Sequence, residues 1–386
     1  MSENIILKGI TWNHSRGFTP MAATAQRFSE LNPQVTITWE KRSLQQFADL
    51  SIQQLAERYD LLVIDHPWAG FAAKTNSILP FDKYLPNEFL KDQELNSVGQ
   101  SYESYNYNGH QWALAIDAAT PVAASRPDLL KKHKLEIPKT YNELLSMTKG
   151  GLVAFPAIPI DSLMTFYTFC CSLGEDPCQQ KDIVISNDTG VKALELYRQL
   201  AKHVNPACFN RNPIQTYEAM TQGDEIAYCP FAYGYSNYSR EGYAQRLLHF
   251  HDMISLNGEF NLRSSLGGTG LAVSANCTHV DIAMRYAAYV ASAQTQIGLY
   301  TDNGGQPGHL SAWTNEENNR KMHNYFINTL PALQRAYLRP RYFGHMFFQD
   351  YAGDILRDYL MNGGDEMLVL DALNDLYIES KTKVQA

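Results

Sequence analysis

A polar run, Asn13-His14-Ser15-Arg16-Gly17, follows directly on a strand-like segment that ends at Trp12. It offers an amide, an imidazole, a hydroxyl and a guanidinium within four positions, a set suited to hydrogen-bonding a polar molecule. Two more strand-like segments end in comparable groups: Arg42 beyond residues 35–39, and Asp65, His66 and Trp68 beyond residues 60–64. Asp117 lies in a later extended run, and Pro156, Tyr228, Tyr233 and Tyr235 belong to two others. Gly267, Gly268 and Thr269 open a late strand, and Asn303, Gln306 and His309 come after a long helical pattern. Aromatic faces beside carboxylates, amides and hydroxyls suit a ring that carries hydroxyl groups. Arg16, Arg42, His14 and His66 add cationic character, and a guanidinium can grip a carboxylate or phosphate through two parallel bonds.

Each of these residues has a structural alternative. Ser15 and Thr19 are equally suited to capping the helix that follows. Trp12 fits a core, Arg16 fits a surface ion pair and Asp65 fits a turn. Tyr233 and Tyr235 are too closely spaced for both to be core, so at least one should face a cleft. His249 and His251 form a His-x-His without a third ligand, which favours packing over a metal. Gly267, Gly268 and Gly270 imitate a phosphate loop, but a strand follows them instead of a helix, so tight-turn geometry explains them better. No metal or cofactor is expected.

The elements that would position these residues begin as an alternation of strand and helix. Strand one covers roughly residues 6–12. A helix from Pro20 sets Met21, Ala25, Phe28 and Leu31 on one face. VTITW (35–39) is rich in β-branched residues; Leu44, Phe47, Leu55 and Tyr59 then mark a helix, and DLLVID (60–65) is continuously apolar, as for a strand buried on both faces. This βαβαβ start predicts a parallel sheet, and ligands of such sheets lie beyond the carboxyl ends of the strands. Further on, Thr140 and Glu143 form a capping box, LVAFPAI (152–158) and EIAYCPFAYGY (225–235) are strand-like, and SSLGGTGLAVS (264–274) is a Gly-rich turn opening a strand. The chain beyond Trp313 is mostly helical in pattern.

With 386 residues, two domains are expected. A net charge of −8, with no basic stretch beyond Lys131-Lys132-His133-Lys134, argues against nucleic acid as a partner. No apolar window is long enough to span a membrane. The six cysteines show no CxxC pairing, and Cys170-Cys171 in FYTFCCSL read as buried thiols of a reducing compartment. No export signal precedes strand one, so the chain is expected to be periplasmic if a signal was removed and cytoplasmic if Met1 is the native start.

FSELNPQVTITWE (28–40), YDLLVID (59–65) with ILPFDKYL (78–85), the long segment 108–145, EAMTQGDEIAYCPF (218–231) and residues 281–307 follow one another in a characteristic order. Together they resemble family 1 of the bacterial extracellular solute-binding proteins, the substrate-binding proteins of ABC importers that include maltodextrin-binding proteins. The resemblance implies a type II periplasmic-binding-protein-like fold: two α/β lobes, a cleft between them and hinge closure around a solute. It implies three inter-lobe crossings, near Asp117, Leu266 and Trp313. The first lobe would then hold residues 1–117 and 267–312, and the second 118–266 and 313–386. The expected function is binding of a small polar solute, carbohydrate-like and with room for an anionic group, without chemistry. ABC permease subunits are the implied partners and a monomer the implied state. The lining expected from the strand-end rule is Trp12, Asn13, His14, Ser15, Arg16, Arg42, Asp65, His66, Trp68, Asp117, Tyr228, Tyr233, Tyr235, Gly268, Thr269, Asn303 and Gln306. The alternative is a cytoplasmic enzyme or ligand sensor on the same scaffold, with Cys229 as a nucleophile served by His14 or His66.

Overall fold

A computed structural model of the chain describes residues 4–43 and 51–382. The first lobe is built on strands β1 (Ile5–Trp12), β2 (Val35–Arg42) and β3 (Leu61–Ile64), with helix α1 (Ser15–Leu31) between the first two. These three strands run parallel, with Trp12 opposite Arg42 and Ile10 opposite Leu62. All four residues of β3 are buried, as its unbroken apolar run requires of a strand covered on both faces. Two later strands complete the sheet: β4 (Leu114–Ala119) and, from much further along the chain, β8 (Gly267–Val273). The order is β2-β1-β3-β8-β4, and β8 runs antiparallel to both of its neighbours. The all-parallel expectation therefore holds for the first three strands only. The reversal has a functional consequence, because the start of β8 lies beside the ends of β3 and β4.

The second lobe contains a three-stranded antiparallel sheet in which β5 (Pro121–Ser125) lies between β6 (Tyr228–Tyr233) and β7 (His249–His251). Helices α2 (Pro159–Ser172) and α3 (His345–Asn362) pack against one another beside it. The larger core is here, with Phe155, Phe166, Phe169, Tyr197, Phe231, Phe348 and Leu356 all buried. Its aromatic rings meet mostly edge-on or tilted, as for Phe169 and Phe231 at 79°.

The lobes are joined where β4 continues into β5 through Thr120, whose hydroxyl donates to the Ser265 carbonyl just before β8. Gln306 locks the same region. Its Nε2 donates to the Ala118 carbonyl, and its Oε1 accepts from the Ser236 amide of the second lobe.

Three local expectations need correction, and a fourth lies partly outside the described residues. The first helix begins at Ser15, five residues before Pro20, because His14 serves as its N-cap; Pro20 sits in the second turn, where the amide it lacks would have bonded the Arg16 carbonyl. Residues 152–158 form only a bridge between Val153 and Tyr228, since Pro156 has no N–H for a ladder. Gly267 and Gly268 are strand residues of β8 and not a turn before it. Of the expected second helix, Leu44 and Phe47 lie outside the described residues, while Ile52–Ala56 is helical. The capping box is present: Thr140 accepts from the Glu143 amide, and Glu143 accepts from the Thr140 amide.

Candidate functional site

The polar run after β1 becomes a structured edge because His14 closes the first turn of α1. Its Nδ1 accepts the Arg16 amide at 3.0 Å, which leaves Nε2 to carry the proton and donate to the Tyr243 hydroxyl at 3.2 Å. Burial and the Arg16 charge push the His14 pKa down to about 4, so the ring is neutral. Ser15 Oγ lies 2.8 Å from the same Tyr243 hydroxyl and accepts from Asn237 Nδ2 at 3.0 Å. Both partners belong to the second lobe, so this edge of the first lobe is held across the cleft.

Arg16 turns inward from α1. Its Nε and Nη2 donate to the two oxygens of Asp117 at 2.7 and 2.5 Å, and its Nη1 donates to the Gly234 carbonyl at 2.8 Å. The Tyr235 ring lies 4.7 Å from the guanidinium. Burial pulls against both charges and lifts the Asp117 carboxyl above its ordinary value, while Arg16 works in the opposite sense. The two-pronged geometry keeps Arg16 protonated with Asp117 as its counter-ion. Beside them, Gly268 (φ +103°) brings its backbone against the Asp117 carbonyl, where an added Cβ would stand 2.3 Å from that oxygen. Thr269 pairs with Asp117 across the β8–β4 ladder and is buried, and among the described residues its Oγ1 has no hydrogen-bond partner.

A second ion pair crosses the cleft at the end of β3. Arg339, in the segment leading to α3, donates through Nη2 to both oxygens of Asp65 at 2.7 and 2.9 Å. Its Nη1 is held by Gln349 and its Nε by the Leu266 carbonyl. Burial acts to raise the Asp65 pKa, but the Arg339 charge and the His66 side chain outweigh it and hold the carboxyl well below the usual carboxylate range. His66 is fully buried beside this pair; burial first and the Arg339 charge second push its pKa down to about 4. His345, on α3, is also buried, and the same two causes bring its pKa down to about 3. Beside the Arg339–Asp65 pair stands Tyr233, its hydroxyl 2.9 Å from Ser265 Oγ and its ring lying over Gly267.

Two lobes thus meet over a buried array of donors, acceptors and tyrosine rings. The model of a family described as bacterial extracellular solute-binding protein matches residues 23–317. The chain belongs to that family. Its members are solute-binding proteins and not enzymes, and solved structures carry the same two-lobed fold over nearly the whole chain. The maltose-bound MalE3 of T. maritima is 16% identical with a TM-score of 0.83, covering 97% of this chain and 100% of the other. A solute-binding protein of an ABC transporter from Agrobacterium radiobacter K84, in complex with ribitol, is 18% identical with a TM-score of 0.80 and 98% coverage of both chains. The maltotriose-binding protein of Thermus thermophilus is 15% identical with a TM-score of 0.77, covering 97% and 99%. The maltotriose-binding protein of Pyrococcus abyssi is 27% identical over 121 residues, 31% of this chain. That match spans a quarter of the relative's length.

The fold of this solute-binding protein gathers His14, Ser15, Arg16, Asp65, His66, Asp117, Tyr233, Tyr235, Gly268, Thr269 and Gln306 at the junction of the lobes. It places the other expected residues elsewhere. Trp12 is packed in the first-lobe core under Gly17, and Trp68 packs edge-on against Phe71. Tyr228 begins β6 inside the second-lobe core. Asn13 is exposed, its amide bonded to the Arg42 carbonyl, and Arg42 itself donates to the Val63 carbonyl at 3.4 Å. Asn303 turns its side chain onto the Leu299 carbonyl one helical turn back. Cys229 is fully buried, and desolvation pushes its thiol far up, so it has none of the thiolate character of a nucleophile. Arg339, His345, Asp161, Tyr243 and Asn237 complete the junction without having been expected. None of them follows a strand of the first sheet, so the strand-end rule could not nominate them.

Proposed function

We propose that this protein is the solute-binding component of an ABC-type importer and holds a small polyhydroxylated solute, a carbohydrate or polyol, between its lobes without transforming it. The observation that carries the reading is the engagement of the cations at the junction. Arg16 is taken up by Asp117 and the Gly234 carbonyl, and Arg339 by Asp65, Gln349 and the Leu266 carbonyl. His14 and His66 are held neutral. The cationic groups that would favour an acidic or phosphorylated solute are therefore already neutralised. Tyrosine rings, the Thr269 hydroxyl and the carboxylate edges remain as the partners that hydroxyl groups and sugar C–H faces need. Ribitol, maltose and maltotriose, named with the structural relatives, belong to this chemical class.

In this reading the contacts come from Ser15, Arg16, Asp65, His66, Asp117, Tyr233, Tyr235, Gly268, Thr269 and Gln306. The first lobe comprises residues 1–117 and 267–312, and the second comprises 118–266 and 313–386. The protein works as an exported monomer that delivers its solute to permease subunits.

The test is a thermal-shift panel of polyols, sugars, sugar acids and sugar phosphates. A neutral member at 100 times its Kd should stabilise the fold by about 2.7 kcal/mol, and Asp65→Ala should abolish that shift. Shifts from acidic or phosphorylated members alone would overturn the solute class. Conversion of a compound to product would overturn binding without chemistry.

A further inference from the structure

Asp161, an acidic group at the lobe junction, has no counter-charge among the described residues. Asp161 lies in the first turn of α2, is 5% exposed, and its Oδ2 has no hydrogen-bond partner among the described residues. At the third helical position a Glu or Gln can bond back to the N-cap amide, as in a capping box. Asp161 makes no such bond, and the N-cap, Ile158, has no side-chain cap either. The residue is therefore not explained by capping. It lies within electrostatic reach of Tyr233, beside the Arg339–Asp65 pair, and of Tyr235, beside the Arg16–Asp117 pair, as well as of Tyr197 and Cys229 in the second-lobe core. One turn further along α2, Met164 Sδ contacts Ser265 Oγ at 3.2 Å, and Ser265 bonds the Tyr233 hydroxyl. This face of α2 thus forms part of the second-lobe wall of the cleft.

The charges around Asp161 settle what it can accept. Arg16 cancels Asp117, Arg339 cancels Asp65, and His14, His66 and His345 are neutral at pH 7. A buried carboxylate without a counter-charge is costly and takes up either a proton or a cation. Tyrosine rings near it suit an ammonium group and the polarised C–H groups next to one. We propose that Asp161 receives a protonated amino group of the solute, so that the site selects an amino sugar or amino polyol over its neutral counterpart. The proposal rests on the polyhydroxylated reading above and narrows it. Burial lifts the Asp161 carboxyl well above its ordinary value, so the ammonium displaces its proton to solvent and binding releases it.

The experiment is calorimetric titration at pH 7 with two matched pairs: 1-amino-1-deoxy-D-sorbitol against D-sorbitol, and D-glucosamine against N-acetyl-D-glucosamine. In the wild-type protein the amine of at least one pair should bind ~10-fold or more tightly than its partner. Its binding heat should also differ between phosphate and HEPES buffers, whose ionisation enthalpies differ and neither of which is an amino polyol, as proton release requires. In Asp161→Asn the preference should fall to within about threefold. Equal or tighter binding of the uncharged partners by the wild type overturns the assignment, and so does a preference that persists in Asp161→Asn. Should the variant fail to fold, the wild-type ratio together with the buffer dependence decides. If neither member of either pair binds, while acidic or phosphorylated sugars do, the polyhydroxylated reading falls together with the amine.

Discussion

Arg16 and Asp117 illustrate how a buried ion pair resists piecemeal change. Removing one partner leaves the other charged and desolvated, so Arg16→Ala should destabilise the fold by about 3–5 kcal/mol in urea unfolding. The double variant Arg16→Met/Asp117→Leu, which removes both charges, should cost less than Arg16→Ala alone. A larger cost for the double variant would contradict the pairing. His66 and His345 give the junction an acid sensitivity. Their folded pKa values, about 4 and about 3, lie below the ordinary 6.5, so between those limits the unfolded chain binds more protons. Stability is therefore full above pH 6.5 and is lost as pH falls towards 4. The groups acting on His345 are Arg339, His66 and Asp65; those acting on His66 are Arg339, Asp65 and Arg341. Because the two rings act on one another, their effects do not simply add. His345→Leu should flatten the loss of melting temperature between pH 7 and pH 5, and an unchanged acid limb would contradict this. Arg16 and Asp65 were legible because each follows the end of a strand whose pattern is clear, and Asp117 because it lies in an extended run next to the first crossing. Arg339, Asp161 and His345 were not, because their place depends on how distant helical segments fold back onto the cleft.

The elements of the first lobe could be read from local pattern because β1 to β3 alternate with helices and β3 is apolar throughout. The insertion of β8 between β3 and β4 could not, since a pairing between residues some 200 positions apart leaves no local trace. The two glycines that open β8 are explained by that insertion. At Gly267 an added Cβ would meet the Tyr233 ring at 2.4 Å, a side chain that can move; at Gly268 it would meet the Asp117 carbonyl with the backbone at φ +103°. Gly267→Ala should therefore weaken solute binding while costing little stability. Gly268→Ala should lower stability by about 1–3 kcal/mol through backbone strain. Paired melting and binding curves separate the two, and equal effects of both substitutions would contradict the geometry. The Thr140 capping box was legible in full, and Thr140→Ala should cost about 1 kcal/mol in the same assay.

At the scale of the whole molecule, the lobes are held together by protein contacts at both ends of the junction. One set joins His14 and Ser15 to Tyr243 and Asn237, and the other joins Asp65 to Arg339. Binding energy drives closure only through contacts to both lobes at once, so a solute adds to this bias instead of creating it. Asp65→Asn removes the charge from the second set and should shift the solute-free protein towards open forms, raising the Kd of any solute that requires closure. The most direct test of the central claim is the distribution of distances between spin labels at exposed Lys83 in the first lobe and Lys149 in the second. It would be recorded with and without a saturating polyol or sugar from the thermal-shift panel. The account predicts a single short-distance population with solute, broadening to longer distances in solute-free Asp65→Asn. Solute binding that leaves the Asp65→Asn distribution unchanged would contradict closure of the two lobes around the solute.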